Sequence, residues 1–147
     1  MTDFHYTIYI KSTPEKVWEA ITNPEFTRQY AGHQYVSDWT MDSTWDMRRN
    51  SDNSVNVTGH VLEYTPPQRL VLTWAEADKP DDVSRVIFDI ALSDSMVRLN
   101  ITHSQLSDYM GGRIAFGWPI VLSGLKTLLE TGHPLNDTWS GCKATAA

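Results

Sequence analysis

Apolar residues recur along this chain with two different periods, and the change from one to the other divides it. In Phe4–Lys11 the residues Tyr6, Ile8 and Ile10 alternate with polar neighbours, the period of a half-buried strand. Ser12-Thr13-Pro14-Glu15 then announces a helix. Thr13 can cap it, Pro14 suits its first turn, Glu15 favours the positive end of its dipole, and Val17, Trp18 and Ile21 form its apolar stripe. Asn23-Pro24-Glu25 repeats the start signal, so a second short helix is expected to end near Gly32.

From there to His103 the period is two. Strands are expected at Tyr35–Trp39, Thr44–Arg48, around Val55, Val57, Gly59 and Val61, at Leu70–Trp74, in Val83–Leu92 and through Val97, Leu99, Ile101 and His103. Their short, turn-rich connections and half-polar faces indicate an antiparallel sheet. In Gly112–Thr131 the period becomes helical. Trp118, Val121, Leu122, Leu125, Leu128 and Leu129 make one broad apolar face, Gly132 is the expected C-cap, and Pro119 is expected in the first turn or at the start of the regular helix. Gly111-Gly112 is expected to give the preceding loop freedom to move.

One helical stripe and one face of a sheet need partners, and each is the obvious partner of the other. The expected fold is therefore α+β: a curved antiparallel sheet of about six or seven strands wrapped around a long C-terminal helix, with two short helices after the first strand. It should be a single domain over residues 1–135, followed by a small, polar tail (136–147) carrying Trp139 and Cys142. A sheet coiled around one helix leaves space between them, so a cavity of at least about 300 Å³ is expected.

Four stretches carry a resemblance: TPEKVWEAITNPEFTRQYAG, GHVLEYTPPQRLVLTW, VRLNITHSQL and GWPIVLSGLKTLLETGHPL. With them the chain resembles the START-like (SRPBCC) superfamily of helix-grip folds, and more closely its branch of heat-shock-protein ATPase activator homologues. The resemblance implies a deep apolar cavity between sheet and helix. It also implies binding of lipids, hormones, polyketides or other apolar molecules, with catalysis in some members. The co-chaperone activity in the branch name belongs to larger proteins with an additional domain.

Composition narrows the partners. The formal charge is −6 with only 12 Lys and Arg among 147 residues, which offers no footprint for nucleic acid and disfavours docking on an anionic membrane. One cysteine, no signal-like start and no apolar run of spanning length lead to the expectation of a cytoplasmic protein. No metal or cofactor is expected. The histidines lack metal-ligand spacing, and nucleophile-elbow, dinucleotide and P-loop patterns are missing.

The candidate ligand-binding residues are Tyr30, Trp39, Trp45, Trp74, Phe88, His103, Phe116, Trp118, Val121, Leu122 and Leu125. The aromatics supply flat apolar walls, and Tyr30, Tyr35 and Tyr109 supply hydroxyls near an entrance. His103 continues the inward alternation of its strand, where it is either a ligand contact or acid–base group, or a structural histidine satisfied by the protein. His60 is expected outside and Gly59 at a strand bend. Three functions remain open: a binding module for a small hydrophobic or aromatic molecule, a cyclase- or dehydratase-type enzyme, and a protein-interaction module, with a homodimer as a further option.

Overall fold

The computed structural model of the chain describes residues 2–136. Its order is β1 (Thr2–Ile10), α1 (Pro14–Thr22), α2 (Pro24–Tyr30), β2 (His33–Ser37), β3 (Thr44–Arg49), β4 (Val55–Thr65), β5 (Arg69–Glu76), β6 (Ser84–Ser93), β7 (Met96–Leu106) and α3 (Asp108–Thr131). All pairings are antiparallel, in one curved sheet ordered β1-β7-β6-β5-β4-β3-β2, so the chain is the α+β helix-grip architecture. Trp139 and Cys142 lie outside the described residues, as does all of the tail except Asn136.

The short helices start where their caps are. Thr13 Oγ1 accepts from Lys16 N at 3.2 Å and Asn23 Oδ1 from Glu25 N at 3.0 Å, satisfying donors that a first turn leaves unpaired. In β7, Val97, Leu99, Ile101 and His103 are buried in strict alternation. Gln105 then takes φ +61° where the β1 register slips, and that extra residue turns Leu106 back into the core.

Gly59 marks a bend of a particular kind. A Cβ there would stand 2.0 Å from the carbonyl oxygen of Thr73, so only glycine allows β4 and β5 to approach so closely. The Thr73 carbonyl accepts from Trp45 Nε1 at 2.8 Å, while the Thr73 hydroxyl receives His60 N at 2.8 Å. His60 itself is exposed.

The main departure from expectation is at α3. It begins at Asp108, capped by Ser107 Oγ on Met110 N at 3.2 Å, and runs through Pro119 to a left-handed Gly132. Gly111 and Gly112 are helical, not loop. Pro119 removes the N–H that would reach Ala115 and normally costs about 3 kcal/mol mid-helix. The first half of α3 compensates by burying Met110, Ile114 and Trp118. The second half buries Leu122, Leu125 and Leu128 beneath the same sheet, and Lys126 Nζ donates to the Tyr9 carbonyl at 2.6 Å.

Candidate functional site

The space between sheet and helix is concentrated under the first half of α3, where β2–β5 bend away from it. A pocket of about 170 Å³ lies there. Its apolar walls are Tyr35, Met47, Val57 and Trp74 from the sheet and Met110, Ile114, Trp118 and Val121 from the helix, with Ala31 and Gly117 completing them. The volume corrects the expectation of about 300 Å³ or more. The aromatic side chains that were to enclose a larger space fill it by packing on one another. Trp45 lies 5.5 Å from Trp74, Trp74 5.7 Å from Trp118, and Phe88 5.8 Å from Trp118, measured between ring centroids.

Four polar residues share the wall: His33, Asn56, Glu76 and Arg113. Glu76 ends β5 with its carboxylate almost wholly buried. It accepts from Tyr109 Oη at 3.0 Å and from Arg113 Nε at 2.7 Å, both on the first turns of α3. A buried carboxylate requires such charge-assisted partners. The Arg113 guanidinium also lies over the Tyr109 ring, 5.4 Å from its centroid, as does Lys79 at 5.0 Å. Ser107 Oγ donates to Asp82 at 2.7 Å, so three polar ties hold the start of α3 to β5 and the loop after it.

Opposite, His33 Nδ1 donates to the Ala31 carbonyl at 3.0 Å, which leaves Nε2 to accept from Asn56 Nδ2 at 3.2 Å. Asn56 Oδ1 in turn accepts from Arg49 at 3.0 Å. Burial lowers the His33 pKa, with the nearby Arg49 acting in the same direction and the Ala31 bond opposing it, so the ring is neutral near pH 7.

His103 is fully buried on the inward face of β7, behind Trp74 and Trp118 and not in the pocket wall. Trp118 Nε1 donates to its Nδ1 at 3.1 Å. The proton therefore sits on Nε2, which donates to Ser84 Oγ at 2.8 Å, and Ser84 donates to the Trp74 carbonyl at 3.3 Å. Both nitrogens are committed, and burial pushes the pKa down to about 3. This is a neutral imidazole satisfied within the core.

Of the eleven candidate residues, the structure brings Trp74, Trp118 and Val121 together around the pocket. The others are elsewhere. Tyr30 is buried with its hydroxyl donating to the Ala20 carbonyl at 2.8 Å, and Trp45 is buried with its indole on Thr73. Phe88, Leu122 and Leu125 are solid core, and Trp39, held at φ +55°, packs against the core from its margin. Phe116 is 74% exposed, because it lies about 200° around α3 from Trp118. Met47, Asn56, Glu76, Met110, Arg113 and Ile114 are among the wall residues that strand and helix periods did not single out. Extending the helical stripe upstream from Trp118 by fours would have reached Ile114 and Met110.

Among the described residues no three His, Cys, Asp or Glu side chains gather as a metal site, and no helix is long and apolar enough to cross a membrane.

Comparison with known proteins fixes the family. The family model described as "Activator of Hsp90 ATPase homolog 1-like protein" matches residues 11–130. The chain belongs to that family. No curated protein matches it in sequence. Solved structures similar to this activator-homologue chain include the Aha1 dimer from Colwellia psychrerythraea (21% identity, TM-score 0.75, covering 90% of this chain and 98% of that one). CalU16 from Micromonospora echinospora is similar at 20% identity and TM-score 0.74, covering 88% and 77%. An HSP90 activator from Plasmodium falciparum is similar at 21% identity and TM-score 0.72, covering 90% and 97%. At these identities the likeness is one of fold. Members of this fold commonly bind hydrophobic ligands.

Proposed function

We propose that this activator-homologue family member binds a small hydrophobic molecule, about one aromatic ring in size, between β2–β5 and the first half of α3. The observation that carries the reading is the pocket of about 170 Å³ walled by Tyr35, Trp74, Trp118 and aliphatic side chains. An apolar protein cavity of about 150 Å³ accommodates benzene, whereas drug-sized ligands need about 300 Å³ or more. Lipids and multi-ring polyketides are therefore too large for the pocket as it stands.

The test is a size series followed by ligand-detected NMR and thermal shift: toluene, indole, and a four-ring sterol. Toluene and indole should bind and the sterol should not. Val121→Phe, which fills the pocket from the helix side, should abolish binding of the two small compounds. Binding of none of them, or small-compound binding that survives Val121→Phe, contradicts the reading.

An acid–base enzyme is less well supported, because His103 lies outside the wall and both nitrogens of His33 are taken. A second reading rests on a separate observation. Tyr109, Phe116 and Ile120 form an exposed stripe on the outer face of α3, an arrangement that favours a protein contact. The similar Colwellia protein was solved as a dimer, so a homodimer is the first form to test. If sedimentation shows a dimer that Phe116→Asp dissociates, the stripe is its interface; a monomer at all concentrations removes that version.

A further inference from the structure

Most residues of the pocket wall are buried, and the few that are not mark where it opens. On α3 these are Arg113, Gly117 and Val121, spaced by four and so in one row along the helix. On the sheet side they are His33 of β2 and Asn56 of β4. The mouth therefore lies between that row and the β2 margin of the sheet. Gly117 holds the middle of the row. A Cβ there would meet nothing within 4 Å and its φ is not positive, so neither packing nor backbone conformation calls for glycine. Glycine weakens a helix interior. What it supplies here is room at the mouth.

The polar groups on this rim are unequally committed. His33 and Asn56 have theirs engaged with Ala31, Arg49 and each other. Arg113 donates only its Nε, to Glu76 at 2.7 Å; its two terminal nitrogens bond to no described residue, and its side chain is 56% exposed. The guanidinium is nevertheless held in place. The Glu76 carboxylate, 10% exposed, fixes its Nε edge, and the Tyr109 ring centroid lies 5.4 Å from it. A guanidinium with Nε taken still offers Nη1 and Nη2 side by side, a pair that can grip a carboxylate through two parallel bonds. Glu76, Asp78 and Asp82 lie near the same end of α3 and Lys79 only partly offsets them. An anion gains here through direct bonds to Arg113, not through the general field.

We propose that the ligand is a single-ring aromatic acid, its ring in the apolar pocket and its carboxylate at the mouth on Arg113 Nη1 and Nη2, with Gly117 as the doorway. This rests on the small-molecule reading above and names the ligand's chemistry. The placement suits both ends of such a molecule. The ring leaves water, while the carboxylate stays half-hydrated at the rim and escapes the cost of burying a charge.

Phenylacetate, phenylacetamide and phenethylamine separate the possibilities, since they share a ring and a two-carbon arm that ends anionic, neutral or cationic at pH 7. Affinities are measured by NMR titration of 15N-labelled protein at low salt, for the wild type, Arg113→Met, Arg113→Lys and Gly117→Leu. A charge-assisted contact at a half-exposed rim is worth about 5–10-fold in affinity. Phenylacetate should bind about that much more tightly than phenylacetamide, and phenethylamine most weakly. Arg113→Met should bring phenylacetate down to the amide's affinity. Should that variant fail to fold, Arg113→Lys decides in its place, because it keeps the charge and loses the paired nitrogens; an undiminished preference overturns the grip. Gly117→Leu should abolish binding of phenylacetate without lowering the midpoint of thermal unfolding, and binding that survives it overturns the doorway. Equal or tighter binding of the amide, or tightest binding of the amine, overturns the acid and leaves small-molecule binding standing. If none of the three binds at millimolar concentration while toluene does, the recognition at Arg113 is overturned alone. If toluene fails as well, the small-molecule reading itself falls.

Discussion

The two halves of α3 meet the same sheet by different means. After Pro119, leucines at helical spacing fill the space: Leu125 is fully buried and Leu122 and Leu128 nearly so. Lys126 and Glu130 fasten this half to β1 and the residue after it, the Glu130 carboxylate accepting from Lys11 N at 2.7 Å. Before Pro119 the buried apolar residues are Met110, Ile114 and the bulky Trp118, three glycines lie among them, and much of the attachment is polar, through Glu76 and Asp82. Close packing leaves no space for a guest, whereas a helix held off the sheet by bulky rings and polar ties does. The pocket is a consequence of that difference.

Truncation gives the largest test of the contrast. Leu125→Ala should cost roughly 2–5 kcal/mol, because the surrounding residues cannot collapse into the space. Ile114→Ala in the other half only enlarges a cavity that already exists, and should cost at least about 1 kcal/mol less. Urea denaturation of both variants reads the difference. Equal losses would mean that the first half is packed as tightly as the second.

The same contrast explains what was legible in the sequence. Strands and the second half of α3 are regular, so alternation and helical spacing located them, and alternation put His103 on the inward face. Two features escaped because they depend on the tertiary structure. Pro119 is a strong local reason to begin a helix, and it was overruled by the burial of Met110, Ile114 and Trp118 upstream. The pocket wall escaped because it is made where β2–β5 diverge from α3. Met47, Asn56 and Glu76 belong to three strands, and no single period marks their convergence. The aromatic count favoured a cavity, yet the rings mostly satisfied one another. Trp45 and Phe88 are wall material by type and core by position.

A pH test falls on the seam between the halves, where Trp118 donates to His103. The unfolded chain binds a proton at His103 near pH 6.5, while the folded ring resists it until about pH 3. Its contribution to stability is complete above about pH 6.5 and is lost as pH falls, by up to about 1.4 kcal/mol per pH unit. His33 is also lowered and adds with the same sign, whereas the lowered carboxylates of Asp52 and Glu130 titrate only below the ordinary range near 4. Stability measured between pH 6.5 and 5 therefore isolates the histidines. His103→Gln should lower stability at pH 7 and flatten the slope by about one proton. Parallel slopes for variant and wild type would show that His103 does take up a proton in the folded state.

The smallest effect is the most discriminating, because it uses one substitution at two places on one helix. Alanine in place of glycine stabilises a helix interior by roughly 0.5–1 kcal/mol where there is room for the methyl group. At Gly112, in the first half, a Cβ would meet nothing within 4 Å. At Gly124, in the second, it would lie 3.0 Å from the Tyr30 carbonyl oxygen and 3.2 Å from Tyr30 Cβ. Both atoms belong to α2, which is pinned by the buried Tyr30 side chain and its bond to Ala20, so neither yields easily. Gly112→Ala should therefore raise the midpoint of thermal unfolding by a few degrees, and Gly124→Ala should lower it or leave it unchanged. If Gly124→Ala stabilises as much as Gly112→Ala, α2 moves aside at little cost. The close packing assigned to the second half of α3 would then be looser than its buried leucines imply.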